Sequence, residues 1–204
     1  AEKDRFIALP GDSQIEFDSV KYPHGENYSD LGWRFPDGAV IVKTFSIDME
    51  SGNAASRKRL ETRLLHYRKM PGNDDEYGAQ FWSGYTYVWN AEQTDAELLE
   101  SKGLDRILTI KDSSAPGGTR EQTWRFPSRA ECALCHNMAA KYVLGVNTLQ
   151  MNRDHTYGNG RRANQLAEWS ALGMFKAALP KTPTELPHLV NYRDEKQALD
   201  ARAR

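Results

Sequence analysis

The sequence predicts an α+β fold that is mostly β: an antiparallel sandwich-like or partial-barrel β unit followed by a small helical segment. Three observations lead there. Alternating or β-branched segments recur between residues 13 and 126. The connections between them are too short for the helical crossovers of a parallel sheet. After Phe126 the pattern changes to helix caps and helical spacing.

The elements follow in order. "SQIEF" (13 to 17) and "GAVIVKTF" (38 to 45) are β-branched or alternating. "RLETRLLHY" (59 to 67) sets Leu60, Thr62, Leu64 and His66 on one face and Glu61, Arg63 and Leu65 on the other. "FWSGYTYVW" (81 to 89) alternates Phe81, Tyr85, Tyr87 and Trp89 against Trp82, Thr86 and Val88. "RILTI" (106 to 110) and "REQTWRF" (120 to 126) flank "KDSSAPGG", a turn signal that predicts a hairpin. A capping box at Thr94 to Glu97 predicts a short helix over "LLESK", stopped by Gly103. A second box, Ser128 to Glu131 behind Pro127, predicts a helix running to about Lys141, with Gly145 closing it. "NQLAEWSALGMF" (164 to 175) spaces Leu166, Trp169 and Leu172 helically. The tail from Pro180 reads as an extended wrap or loose end. The whole reads as one domain: a β-rich part over 6–126, a helical part over 127–179 and the tail over 180–204.

Charge narrows the function classes. There are 27 Lys and Arg against 28 Asp and Glu, so no basic excess suits nucleic acid or an anionic membrane surface. The mean hydropathy of -0.71 describes a very soluble surface. Five Trp, nine Tyr and seven Phe argue for an ordered, β-rich or ligand-enclosing interior. No apolar run approaches the ~20 residues that cross a bilayer, and residues 1–30 lack a signal-peptide pattern. The chain begins at Ala1 without Met, which suggests a mature or excised piece.

The two cysteines stand in "SRAECALCHNMAAKYVLG" (128 to 145). On the helix that Ser128 opens, Cys132, Cys135 and His136 fall at i, i+3 and i+4, one turn apart on one face. Two thiols so placed can bond to the vinyl groups of one haem while the imidazole meets the iron, the c-type attachment pattern. A thioredoxin-like redox pair would instead sit at a helix start within a βαβ unit, and no such alternation is visible. A zinc site needs two further ligands from His66, His155 or His188, none of which forms a closely spaced pair. A structural disulfide or inert thiols complete the alternatives.

The words around the motif carry a resemblance. "VIVKTF", "RLETRLL", "GYTYVWN", "QTDAELL", "WRFPSRAECALCHN", "LGVNTLQMNRD" and "NQL...LGMF" together resemble a family of uncharacterised monohaem c-type cytochrome domains of secreted bacterial proteins. Some of its members are joined to carbohydrate-binding modules. The likeness spans residues 6–176. It implies one covalent haem c, an exported (secreted or periplasmic) location, and a redox role near polysaccharide degradation within a larger protein. Because the motif stands so far along the chain, the ordinary small cytochrome c fold is not expected.

The sixth iron ligand decides between an electron carrier and a five-coordinate haem that binds a small ligand or reacts with peroxide. Met151 is the first candidate, since it follows the helix after a loop long enough to fold back. Met70, Met174, His66, His155 and Lys43 are the alternatives, and Met138 stands too near His136 to reach over the haem plane. Arg63 and Arg129 are candidate partners of the haem propionates, the alternatives being a solvated arginine or a surface pairing of Arg63 with Glu61. Trp82, Tyr85, Tyr87, Trp89 and Trp124 line either the haem edge or a sandwich core. The leading expectation is single-electron exchange with another redox protein or domain rather than an enzyme. A direct polysaccharide-binding module is a further alternative.

Overall fold

The structure, a computed structural model, describes residues 1–20, 32–70, 81–158 and 160–203. The fold is α+β and mostly β, with antiparallel sheets that do not close into a barrel. The described residues gather into two compact units. Those within Ala1–Gly11, Asp37–Pro71 and Gln80–Asn137 form the first, and those within Asp12–Pro36 and Met138–Arg204 the second.

The first unit is built on a five-stranded sheet. Its strands are β1 (Glu2–Ala8), β4 (Val40–Asp48), β5 (Arg57–Tyr67), β6 (Trp82–Trp89) and β7 (Ala96–Leu98), adjacent in that order, each pair antiparallel. A separate hairpin, β8 (Leu104–Lys111) with β9 (Thr119–Phe126), forms as the turn chemistry of "KDSSAPGG" predicts. Ile47, Leu60, Leu108, Ile110 and Phe126 interlock between the two, with Val88 and Trp124 packed at the margin. The hairpin thus covers one end of one sheet face, a sandwich-like arrangement driven by burial of these apolar side chains. The short helix α1 (Arg129–Cys135) follows β9 directly.

Four expectations are corrected here. Residues 96–98 form strand β7, not the start of a helix; Asn90 takes the capping role, its Oδ1 accepting from the Thr94 and Asp95 amides in a turn that returns the chain beside β6. Gly103 does end this stretch, with φ of +76° in the turn before β8. The strict alternation of β5 breaks at a bulge opposite Phe45 and Ser46, so that neighbours Leu60 and Glu61 are both buried. The aromatic stripe Tyr85, Tyr87 and Trp89 is half-buried rather than core, because the interior face of β6 carries Gly84, Thr86 and Val88. Finally α1 stops at Cys135 instead of Lys141. His136 leaves helical geometry at φ -93° and ψ 65°, and the Asn137 amide caps the Leu134 carbonyl at 2.7 Å. Lys141 and Tyr142 then adopt left-handed φ of +56° and +58°, which no α-helix accommodates.

The second unit holds β2 (Glu16–Val20) paired with β3 (Gly32–Arg34), and a small ribbon of β10 (Asp154–Thr156) with β11 (Arg162–Asn164). Its helices are α2 (Thr148–Met151), α3 (Gln165–Ala171) and α4 (Leu199–Arg202). The strand expected near 13–17 therefore lies with the helical segment: Ile15 bridges Phe175, and Phe17, Trp33, Trp169 and Phe175 form an aromatic cluster. The helix expected over 164–175 ends at Ala171, capped at its start by Asn164, which leaves Leu172 exposed and Met174 beyond the helix. The tail wraps rather than dangles at Leu186, where the Asn152 amide donates to the carbonyls of Pro183, Leu186 and Pro187.

Candidate functional site

The motif stands on a helix fixed at its start by a reciprocal cap. Ser128 Oγ accepts from the Glu131 amide at 3.1 Å, and the Glu131 carboxylate accepts from the Ser128 amide at 2.7 Å. Arg125, at the end of β9, donates to the same carboxylate at 2.9 Å. The guanidinium, with the Ser128 donors, holds the Glu131 carboxyl far below its ordinary range, at about 2. The approach is also anchored: Thr86 Oγ1 donates to the Pro127 carbonyl at 3.2 Å and the Arg129 amide to the Ser101 carbonyl at 3.1 Å. Gly103 permits that closeness, since a Cβ there would lie 2.7 Å from the Phe126 carbonyl oxygen and from the Ser128 nitrogen.

The helix lies directly on β6. A Cβ at Gly84 would stand 2.6 Å from Cys132 Cβ and 2.8 Å from its Sγ. Only a residue without a side chain lets the first cysteine settle against the strand. Cys132 is half-buried and Cys135 exposed, and both thiols are free. Burial pushes the Cys132 thiol up; the Arg63 charge opposes this, while the Glu61 charge adds to it. The His136 amide keeps the last helical bond, donating to the Cys132 carbonyl at 2.9 Å, so the imidazole-bearing residue begins one turn above the first thiol. Two reduced thiols and an imidazole on one turn, beside a strand cleared by Gly84, are a donor set that fits covalent haem. Among the described residues no three His, Cys, Asp or Glu side chains gather as a metal cluster.

The interior face that meets Cys132 carries further candidates. Gly84 pairs with Leu65 and Thr86 with Arg63, so Arg63 lies diagonally beside the position touching Cys132. Arg63 donates to the fully buried Glu61 through Nε at 3.0 Å and Nη2 at 2.6 Å, and Trp124 Nε1 donates to the same carboxylate at 3.1 Å. Lys43 stands opposite Arg63 on β4. Arg129 instead lies over the Tyr85 ring, 5.0 Å from its centroid. His66 pairs with Ser83, which puts it on the opposite sheet face from Gly84.

The remaining ligand candidates divide between the units. Met70, in the first, is 44% exposed, and the residues that follow it, 71–80, lie outside the described residues. Met151, Met174 and His155 belong to the second unit. There Met151 is buried at the end of α2, while His155 is exposed on β10 with its ring edge-on to Tyr157. Sequence reasoning did not single out Gly84, and it named Glu61 only as a surface partner of Arg63. A glycine inside an otherwise bulky alternating strand was the available signal for the first; the Arg63 to Glu61 pair is present but buried at the carboxylate, for which there was no signal, because the bulge that buries Glu61 is a property of strand pairing.

No protein-family model matches the chain, and no curated protein or solved structure matches it. Among the described residues, no helix is long and apolar enough to cross a membrane.

Proposed function

We propose that the first unit carries one covalent haem c through Cys132 and Cys135, with His136 as proximal ligand, and that the protein exchanges single electrons with another redox protein or domain. We further place that role in a secreted or periplasmic setting linked to polysaccharide degradation, on the family resemblance. The observation that carries the reading is the α1 turn, where two free thiols stand on the last turn of a helix anchored by Ser128, Glu131 and Arg125, with His136 directly at its end. When bound, haem supplies a one-electron iron couple whose potential follows its axial ligands and its burial.

The chain's residues supply placement. Gly84 lets Cys132 seat against β6, the reciprocal cap sets where the helix begins, and the early stop at Cys135 directs His136 out of the helical path. Burial keeps the Cys132 thiol protonated, which protects it from the stray oxidation that a thiolate invites. Met151, the first candidate from its place in the sequence, is our proposal for the sixth ligand.

Expression with a c-type haem-attachment system tests this. Coloured protein with a haem band that survives denaturing electrophoresis is expected, and Cys132→Ser with Cys135→Ser together should abolish the band. Colourless protein, or haem extractable by acid acetone, overturns the reading. In the oxidised holoprotein Met151→Leu should remove the methionine-to-iron charge-transfer band and admit carbon monoxide after reduction; an unchanged spectrum assigns the sixth position elsewhere.

A further inference from the structure

The sheet face that receives Cys132 also carries an unusual run of positive charge. Arg5 on β1 stands directly opposite Lys43 on β4, and Lys43 directly opposite Arg63 on β5. Directly opposed residues of antiparallel strands share a face, so three cations stand in one row at steps of about 4.8 Å. Lys3, two residues from Arg5, points to the same face opposite Phe45. The side chains converge on that phenylalanine: Lys3 Nζ, Lys43 Nζ and Arg63 Cζ lie 5.7, 5.6 and 4.4 Å from its ring centroid. The ring face attracts each cation weakly and does not offset their mutual repulsion.

Anionic compensation is sparse. Among the described residues the carboxylate recorded against this group is Glu61, and both its oxygens are engaged by Arg63 and Trp124. Lys43 is half-buried, and burial together with Arg5, Lys3 and Arg63 lowers its affinity for a proton. Like charges directly opposed across strands destabilise a sheet. Three cations around one ring, with Arg5 opposite Lys43 as a fourth and one buried carboxylate among them, are arranged as a receptor for a further anion. Arg63, diagonal to the Gly84 position that touches Cys132, puts one end of the run beside the attachment helix.

We propose that the face lined by Lys3, Arg5, Lys43 and Arg63 is a carboxylate-binding site, and that the carboxylates it takes are the two propionates of the haem held by Cys132 and Cys135. The occupant's identity rests on the haem reading above, whereas the affinity for carboxylate does not. Lys43, on this assignment, is an anion partner rather than an iron ligand.

Citrate serves as the probe of the free site, followed by calorimetry on the full chain. Cys132→Ser/Cys135→Ser protein, which has no attached haem, should bind citrate, and adding Arg5→Gln and Lys43→Gln should weaken binding by about tenfold or more. Haem-loaded protein should bind citrate at least about tenfold more weakly than the haem-free variant, because its own carboxylates hold the site. In the loaded protein the pH at which the midpoint potential inflects should rise in Lys43→Gln and return in Lys43→Arg, since a lost cation lets a propionate hold its proton to higher pH. Equal, Lys43-dependent citrate binding with and without haem would overturn the haem as occupant and assign the site to a free polycarboxylate. No citrate binding to the haem-free variant, with no inflection shift in Lys43→Gln, would overturn the site itself. Failure of haem to attach would overturn the earlier reading while leaving the citrate titration intact.

Discussion

Gly84→Ala is the sharpest perturbation of helix α1. The added methyl would lie 2.6 Å from Cys132 Cβ and 2.8 Å from Sγ, whereas non-bonded carbons rest at about 3.5–4.0 Å. The obstructing atom is a Cβ fixed to the helix backbone, not the end of a flexible side chain. Relief therefore requires α1 to move off β6 by about 1 Å, against the Thr86 to Pro127 and Arg129 to Ser101 hydrogen bonds that hold its start. Overpacking of this size costs about 1–3 kcal/mol. Backbone strain does not contribute, since Gly84, unlike Gly103, is not among the positive-φ glycines. Urea denaturation, followed by intrinsic tryptophan fluorescence, measures the loss. Gly158→Ala, with nothing within 4 Å of its added methyl, is the control and should stay within about 0.5 kcal/mol of wild type. Cys132→Gly removes both obstructing atoms, so a double-mutant cycle should show the Gly84→Ala penalty relieved in that background. A Gly84→Ala protein as stable as wild type, or a penalty unchanged by Cys132→Gly, would refute the packing of α1 on β6.

Two further perturbations follow from the same geometry. Glu131 has its folded carboxyl depressed from 4.5 to about 2, so its contribution to α1 is present above the unfolded value and is lost as pH falls from about 4.5 through 2. The protection factors of the Cys132 and His136 amides, which correct for the intrinsic pH dependence of exchange, should fall across that window, and Glu131→Gln should flatten the dependence. Glu61→Leu leaves Arg63 without its buried partner and Trp124 Nε1 without an acceptor. Because Arg63 is a third exposed, the expected loss is about 2–4 kcal/mol, below the full penalty of a wholly buried pair, read from chemical denaturation. Glu61→Gln, which keeps an acceptor for Trp124, should cost less.

Much of the local structure was legible in the residues themselves. The hairpin of β8 and β9 follows from Ser113, Pro116 and Gly117 between two β-rich runs, and Ser128 with Glu131 specifies where α1 begins, because capping is settled within four residues. Cys132, Cys135 and His136 are one turn apart for the same local reason. Where a decision involved a partner strand or the end of a helix, local pattern misled. Thr94 to Glu97 has the spacing of a cap, yet β6 offers Ala96 to Leu98 a ladder, and pairing overrides propensity. Leu60 and Glu61 share the interior only because β4 and β5 slip register beside them.

The sequence by itself determined the mostly-β class, the hairpin, the start of α1 and the spacing of Cys132, Cys135 and His136, since each depends on spacing along the chain. Tertiary structure alone decided that Gly84 receives Cys132, that Glu61 is buried under Arg63 and Trp124, and that Lys3, Lys43 and Arg63 surround one ring with Arg5 in the same row. Those arrangements depend on strand order and register, which bring residues far apart in the chain onto one face at contact distance.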